Sequence, residues 1–201
     1  MKLYYSPGAC SLSPHIALRE AGLNFELEQV DLKAKKTKAG ADFTQVNPKG
    51  QVPTLKLDSG EILTEGPAVV QYIADQKPDS GLAPAAGTMG RYRLQEMLNF
   101  ITSELHKGFS PLFRPNTPEE YKPIVKDALF AKFGQLDKVL AGKSYLMGDQ
   151  FTVADAYCFT VMGWSKYHKI DLSPWPNLKS YMERVAARPK IQEALKAEGL
   201  I

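Results

Sequence analysis

The chain has 201 residues and carries 25 Lys and Arg against 22 Asp and Glu, a formal net charge of +3 with lysines dispersed rather than striped, so no basic surface points to nucleic acid. Its 44% hydrophobic and 23% charged composition is that of an ordinary globular chain, which excludes a disordered or fibrous one. No segment approaches the roughly 20 apolar residues needed to span a bilayer, MKLYYSPGAC breaks too early for a signal peptide, and two cysteines 148 positions apart make no disulfide framework; a cytoplasmic protein without membrane association is expected.

Residues 2–6 (KLYYS) predict a short buried strand. Pro14 is tolerated only in the first turn of a helix, so the helix running to about Ala21 has to begin near Ser11 or Leu12, and Gly22 ends it. Residues 27–31 (LEQVD) predict the next strand, and strand, crossover helix and parallel strand within about thirty residues make one βαβ unit. The stretch KAKKTKAGAD, with Lys33, Lys35, Lys36 and Lys38, reads as a solvated loop. Residues 52–57 and 61–64 flank the turn Asp58-Ser59-Gly60 as a hairpin, and residues 66–76 (GPAVVQYIADQ) follow as a helix opened by Pro67. The order βαβ then ββα closes a mixed four-stranded sheet, the arrangement of a thioredoxin-like α/β domain over residues 1–80.

Residues 78–90 are rich in Pro, Gly and Ala without a period and predict a linker. Beyond it, Leu94, Met97, Leu98, Ile101 and Leu105 form the core stripe of one long helix that ends at Arg114-Pro115. Thr117-Pro118-Glu119-Glu120 has the spacing of a capping box opening the next helix, which Pro123 should kink or restart and whose stripe is Val125, Leu129, Phe133, Leu136 and Leu140. Thr152-Val153-Ala154-Asp155 is a second capping box. A further helix runs over 176–188, and Pro189 restarts a short last one. Residues 87–201 are thus expected to form an all-helical domain.

Chemistry concentrates at few places. Cys10 stands at a strand-to-helix turn beside Gly8 and Ser11; a lone cysteine is commonly a small buried hydrophobe, but a helix N-terminus favours thiolate over thiol. The motif C-S-L-S lacks the second cysteine of a dithiol redox site. Asn99, Ser103 and His106 recur at i, i+4 and i+7 as a polar stripe on the long helix, which is either its wet face or a site. His15 has no evident partner, His168 sits in a helix-end context, and Cys158 within AYCFTVM reads as a core thiol.

Five stretches in this order, MKLYYSPGACSLSPHIALREAG, VNPKGQVPTL, LTEGPAVVQYIAD, LNFITSELHKGFSPLF and GDQFTVADAY, make the chain similar along its whole length to the bacterial beta class of glutathione transferases. The resemblance implies glutathione as co-substrate, no further cofactor and no metal. It implies a cis-proline turn at Val52-Pro53 whose backbone pairs with the ligand peptide, flanked by Ala9 and Gln51. It implies Glu65 on the γ-glutamyl ammonium, enclosed at a helix start, and Gly66 N–H groups on the adjacent carboxylate, where relatives commonly carry serine. Lys35 would meet the glycyl carboxylate from an open loop. Asn99, Ser103, Glu104, His106 and Lys107 would form a second set, with His106 near Cys10 and the ligand sulfur. A small hydrophobic electrophile would lie between the domains against groups such as Phe109, Phe113 and Trp164, in a homodimer. Cys10 would serve in catalysis with His106 and could form a mixed disulfide with glutathione. The alternatives are a glutathione-dependent thiol–disulfide oxidoreductase, peroxidase or reductive dehalogenase on the same site, and more distantly a non-catalytic interaction module.

Overall fold

The computed structural model describes residues 1–201, in two units: residues 1–83 with 188–201, and residues 84–187. In the first, β1 (Lys2–Tyr5), α1 (Leu12–Glu20) and β2 (Glu26–Asp31) build the parallel βαβ unit, Leu3 lying opposite Leu27. β3 (Lys36–Thr37) then pairs antiparallel with β2, and β4 (Thr54–Lys56) and β5 (Ile62–Thr64) form the hairpin, β4 antiparallel to β1. The sheet order is β3-β2-β1-β4-β5, so it has five strands rather than four. The fifth comes from the lysine-rich stretch: two residues carry no readable alternation, but Thr37 is buried and Lys38 N–H donates to Gln29 O at 2.7 Å.

Alternation along β1 sends successive side chains to opposite faces. Tyr4 joins Val30, Phe43 and Val52 in one cluster, with Phe43 delivered by a short 3-10 turn, Phe43–Gln45. α1 and α2 (Gly66–Asp75) pack together and bury Ile16, Leu18, Val69, Val70 and Ile73. α1 ends as the sequence requires, with Gly22 at φ +66 and both Gly22 and Leu23 N–H groups returning to the carbonyls of the last turn.

The second unit holds α3 (Met89–Phe100), α4 (Lys107–Phe113), α5 (Tyr121–Leu140), α6 (Val153–Tyr167) and α7 (Pro176–Ala186). The single long helix expected from Leu94 onward is interrupted: residues Ile101–His106 form a π-helical turn between α3 and α4. The apolar period survives it, with Leu94, Leu98, Ile101, Leu105 and Phe109 all buried, which is why the interruption leaves no trace in the hydrophobic pattern. Gly108 allows α4 to lie on α5, since a Cβ there would stand 2.8 Å from Leu129 Cδ2. All five residues of the α5 stripe are buried. The capping box at Thr117 does not form; its hydroxyl donates to Pro111 O instead, and α5 starts at Tyr121, which leaves Pro123 inside the first turn where it causes no kink. The box at Thr152 does form: Asp155 accepts from Thr152 N–H at 2.8 Å, and also from Leu146 N–H and Tyr181 O–H.

The last helix, α8 (Pro189–Ala197), packs on α1 and so joins the first unit, whereas the sequence groups it with the helical segment. The reason is a buried polar chain. Arg19 Nε–H donates to His15 Nε2 at 2.8 Å; arginine can only donate, so that nitrogen carries no proton and Nδ1–H donates to Glu198 Oε1, also at 2.8 Å. Glu198 Oε2 accepts from Gly8 N–H at 2.9 Å. The His15 and Glu198 side chains are fully buried. At φ +70, Gly8 presents its N–H to that carboxylate in a conformation that other residues rarely adopt. His15, which has no partner legible in sequence, is thus a neutral bridge to a residue 183 positions away. Glu198→Ala should lower stability by about 3 kcal/mol, since it strands the buried His15 N–H and the part-buried Gly8 N–H, whereas Lys190→Ala on an exposed pair should cost under about 0.5. Urea unfolding of the two variants tests this; equal midpoints would contradict it.

Candidate functional site

The residues singled out by sequence in the first unit converge on one short loop, Lys49-Gly50-Gln51-Val52. Its conformation is fixed from within: Asn47 Nδ2 donates to Gln51 O and to Thr54 Oγ1, each at 2.9 Å, and the Val52–Pro53 peptide is cis. Val52 lies just outside the β4 ladder. Its carbonyl is engaged all the same: the Cys10 thiol donates to it at 3.2 Å. Two residues before it, Gly50 O accepts from Lys35 Nζ at 2.8 Å. Lys49 Nζ in turn pairs with Glu65 Oε1 at 2.7 Å.

Backbone strain marks the same residues. Only three non-glycine residues have positive φ: Lys35 at 56°, Glu65 at 68° and Lys169 at 54°. Such conformations cost about 1–3 kcal/mol each and cluster where function demands them. Two of the three are the charged residues that the family resemblance places on the ligand termini. Their surroundings, however, reverse the expectation. Glu65 is 69% exposed at the start of α2, while Lys35 is half-buried on the Gly50 carbonyl rather than free on an open loop. Gly66 is the first residue of α2, with Pro67 beside it.

Cys10 is half-buried, immediately before the N-cap residue Ser11 of α1. The first-turn donors are partly consumed, Leu12 N–H by Ala9 O and Ser13 N–H by Cys10 O. Ser11 is buried, and its hydroxyl both accepts from Ser6 N–H and donates to Ser6 O; it locks the loop rather than offering a hydroxyl to a ligand. Cys158 is the opposite case. It is fully buried in α6, and desolvation, with Asp155 adding to it, pushes its thiol well above the ordinary range.

In the second unit the π-helical turn carries Ser103, Glu104 and His106, with Asn99 in the last turn of α3 before it and Lys107 just after. Asn99, Ser103 and Lys107 are exposed and Glu104 and His106 half-buried. Glu104 pairs with Lys132 at 2.7 Å, which holds its carboxyl below the usual range, and Ser103 caps the Asn99 carbonyl at 3.0 Å. His106 Nδ1 meets the Tyr157 hydroxyl at 2.7 Å, and Trp164 stands edge-on to the imidazole at 5.0 Å. Trp164 continues into an aromatic group with Phe113, Tyr167 and His168, of which Phe113 and Tyr167 are 45% and 75% exposed. Phe109, expected among the lining residues, is fully buried beneath this group and is core. His168 belongs to it after all, 4.4 Å from Phe113, and desolvation with Lys126 nearby holds its pKa down. Tyr157 carries no sequence signal, because a hydroxyl inside an apolar helix reads as core; Tyr167 and His168 carry none either, because a ring at a helix end reads as surface or core alike.

Residues 1–75 match the glutathione S-transferase N-terminal domain and residues 100–189 match the corresponding C-terminal domain. The chain belongs to the glutathione S-transferase family. It is 50% identical over 200 residues to Glutathione S-transferase GstA of Escherichia coli O157:H7, with 100% of both chains covered. A sphingomonad glutathione S-transferase complexed with glutathione is 53% identical, covers 100% of each chain and superposes with a TM-score of 0.96. A bacterial beta class glutathione S-transferase of Sphingomonas chungbukensis is also 53% identical with the same coverage and a TM-score of 0.97. The chain is a beta-class member on these grounds. Iodoacetamide should alkylate Cys10 in the native protein and reach Cys158 only after unfolding. Intact mass read at intervals shows whether one adduct forms before the second; two adducts forming together would refute the contrast.

Proposed function

We propose that this transferase activates the thiol of glutathione for attack on a small hydrophobic electrophile. The thiol proton leaves, the sulfur lone pair forms the new bond to carbon, and the leaving group departs with its electrons. The observation that carries the reading is the loop 49–52, which Cys10, Lys35 and Glu65 contact through Val52, Gly50 and Lys49 in turn. A tripeptide with an ammonium at one end and a carboxylate at the other suits a loop flanked by an acid and a base, with a thiol at its centre. Residues 1–80 would hold glutathione, with Ala9, Gln51, Val52 and Pro53 along its backbone, Glu65 and Gly66 on the γ-glutamyl group and Lys35 on the glycyl carboxylate. A cis-proline strand end offers the ligand an added-strand contact.

The helices of residues 87–201 would supply His106 to the sulfur, with Asn99, Ser103, Glu104 and Lys107 around it, and an aromatic face of Phe113, Trp164, Tyr167 and His168 for the electrophile. Proximity and thiolate fraction are most of what this reaction needs. Because Lys35 is the less exposed of the two charged contacts, Lys35→Ala should weaken glutathione binding at least as much as Glu65→Ala. Partly desolvated charges are worth about 2 kcal/mol or more on truncation and exposed ones usually below 1. Calorimetry at moderate salt measures both; a larger loss for Glu65→Ala would restore the order expected from sequence, and no loss for either would remove glutathione from this loop.

A second reading rests on Cys10 itself, the accessible member of a lone pair of thiols. Its thiolate would attack oxidised glutathione, forming one mixed disulfide and releasing one glutathione thiol. Oxidised glutathione should then add a single glutathionyl group, absent from Cys10→Ala, seen by intact mass. We further propose a cytoplasmic homodimer, for which sedimentation at micromolar concentration should report about twice the chain mass of 22.3 kDa; a monomer there would exclude it.

A further inference from the structure

We propose that Tyr157 is a positioning residue that holds His106 as its Nε2–H tautomer, so that the imidazole donates to the bound thiolate and does not take the thiol proton. This rests on the reading that His106 serves the glutathione sulfur, but the hold of Tyr157 on the ring stands on contacts within the helical unit alone.

The tyrosine hydroxyl lies 2.7 Å from His106 Nδ1. Bonds donated by a hydroxyl cluster near that length, whereas N–H donors prefer about 2.9–3.0 Å. Tyr157 is 1% exposed, and a buried O–H has to donate; Nδ1 is an acceptor within reach only when it carries no proton. The neutral ring then has its proton on Nε2. The ring is held in this pose by edge-to-face contacts with Tyr157 at 5.9 Å and Trp164 at 5.0 Å. The backbone is arranged for the same contact: His106 is the last residue of the π-helical turn, a distortion that recurs at functional sites. The charged groups nearest in sequence do not compete for Nδ1, since Glu104 is tied to Lys132 and Lys107 is exposed.

The consequence is a division of labour. With Nε2 protonated, His106 offers a donor and no lone pair, so the thiol proton passes to solvent water. The thiolate left behind accepts from Nε2–H, then forms the S–C bond while the leaving group departs as an anion. The reverse tautomer, with Nδ1–H donating to the phenol oxygen, would make His106 a base. Tyr157 chooses between them.

The test begins with the wild-type protein labelled with ¹⁵N-histidine. Two-bond proton–nitrogen spectra at a pH where the ring is neutral should show a pyridine-like Nδ1 and a pyrrole-like Nε2 for His106; the opposite assignment overturns the proposal without any variant. Tyr157→Phe keeps the ring and removes only the hydroxyl. It should move the tautomer towards a mixture, shift thiolate formation of bound glutathione to higher pH by about one unit, and lower kcat/KM towards an activated aryl chloride about tenfold. In a His106→Gln background the same change should have no further effect on kcat/KM or on the pH profile. A Tyr157→Phe enzyme with unchanged tautomer and profile, or an equal loss in the His106→Gln background, overturns the proposal. If His106→Gln alone retains wild-type kcat/KM, it is the assignment of His106 to the sulfur that fails, while the nitrogen spectra still decide what Tyr157 does.

Discussion

The Glu198 carboxylate is the constraint on which the first unit depends. Its two oxygens take one bond from Gly8, in the turn that presents Cys10, and one from His15, in the helix that follows that turn. A buried carboxylate is tolerable only when its hydrogen-bonding capacity is filled, and here a neutral imidazole relays it to the positive charge of Arg19. Arg188 adds a second tie at the start of α8, pairing with Glu20 at the end of α1 at 2.8 Å. The final fourteen residues are therefore tied by polar contacts to α1 and to the turn that carries Cys10.

Around that thiol the structure spends conformational strain selectively. Lys35 and Glu65 are both held at positive φ, and each is tied to a neighbouring residue of one loop. The loop is in turn braced by the Asn47 side chain, which donates to Gln51 O and Thr54 Oγ1, so the acid, the base and the thiol are all tied to one held segment. The contrast between the two cysteines follows the same logic: one thiol is left half-open at a helix start, and the other is sealed in α6, where burial suppresses its ionisation.

The helical unit places its chemistry by a backbone irregularity rather than by strain at single residues. The π-helical turn at Ile101–His106 inserts into an otherwise regular stripe without disturbing which apolar residues are buried. His106 ends that turn against Tyr157 and Trp164, and the aromatic group extends outward through Phe113 and Tyr167 to solvent. The group thus has a polar contact at its inner end and exposed rings at its outer end.

The sequence by itself determined the βαβ–ββα order, the terminator at Gly22, the stripe of α5 and the capping box at Thr152. Each follows from local rules of period, proline and glycine chemistry that act over a few residues. It also marked Cys10, Lys35, Glu65 and His106 through a family resemblance, without showing what each would touch. Only the tertiary structure decided that a fifth strand forms from two lysine-loop residues, and that the helix after the linker carries a π-helical turn. It also decided that Thr117 bonds back to Pro111 rather than opening α5, that Phe109 is core and that Lys35 is more sheltered than Glu65. The partners of His15 and His106 lie 183 and 51 positions away, and burial and hydrogen-bond satisfaction depend on what long-range packing brings alongside. That information is not held in any short stretch of chain, because a side chain's exposure and its partner are properties of the folded neighbourhood and not of the residue.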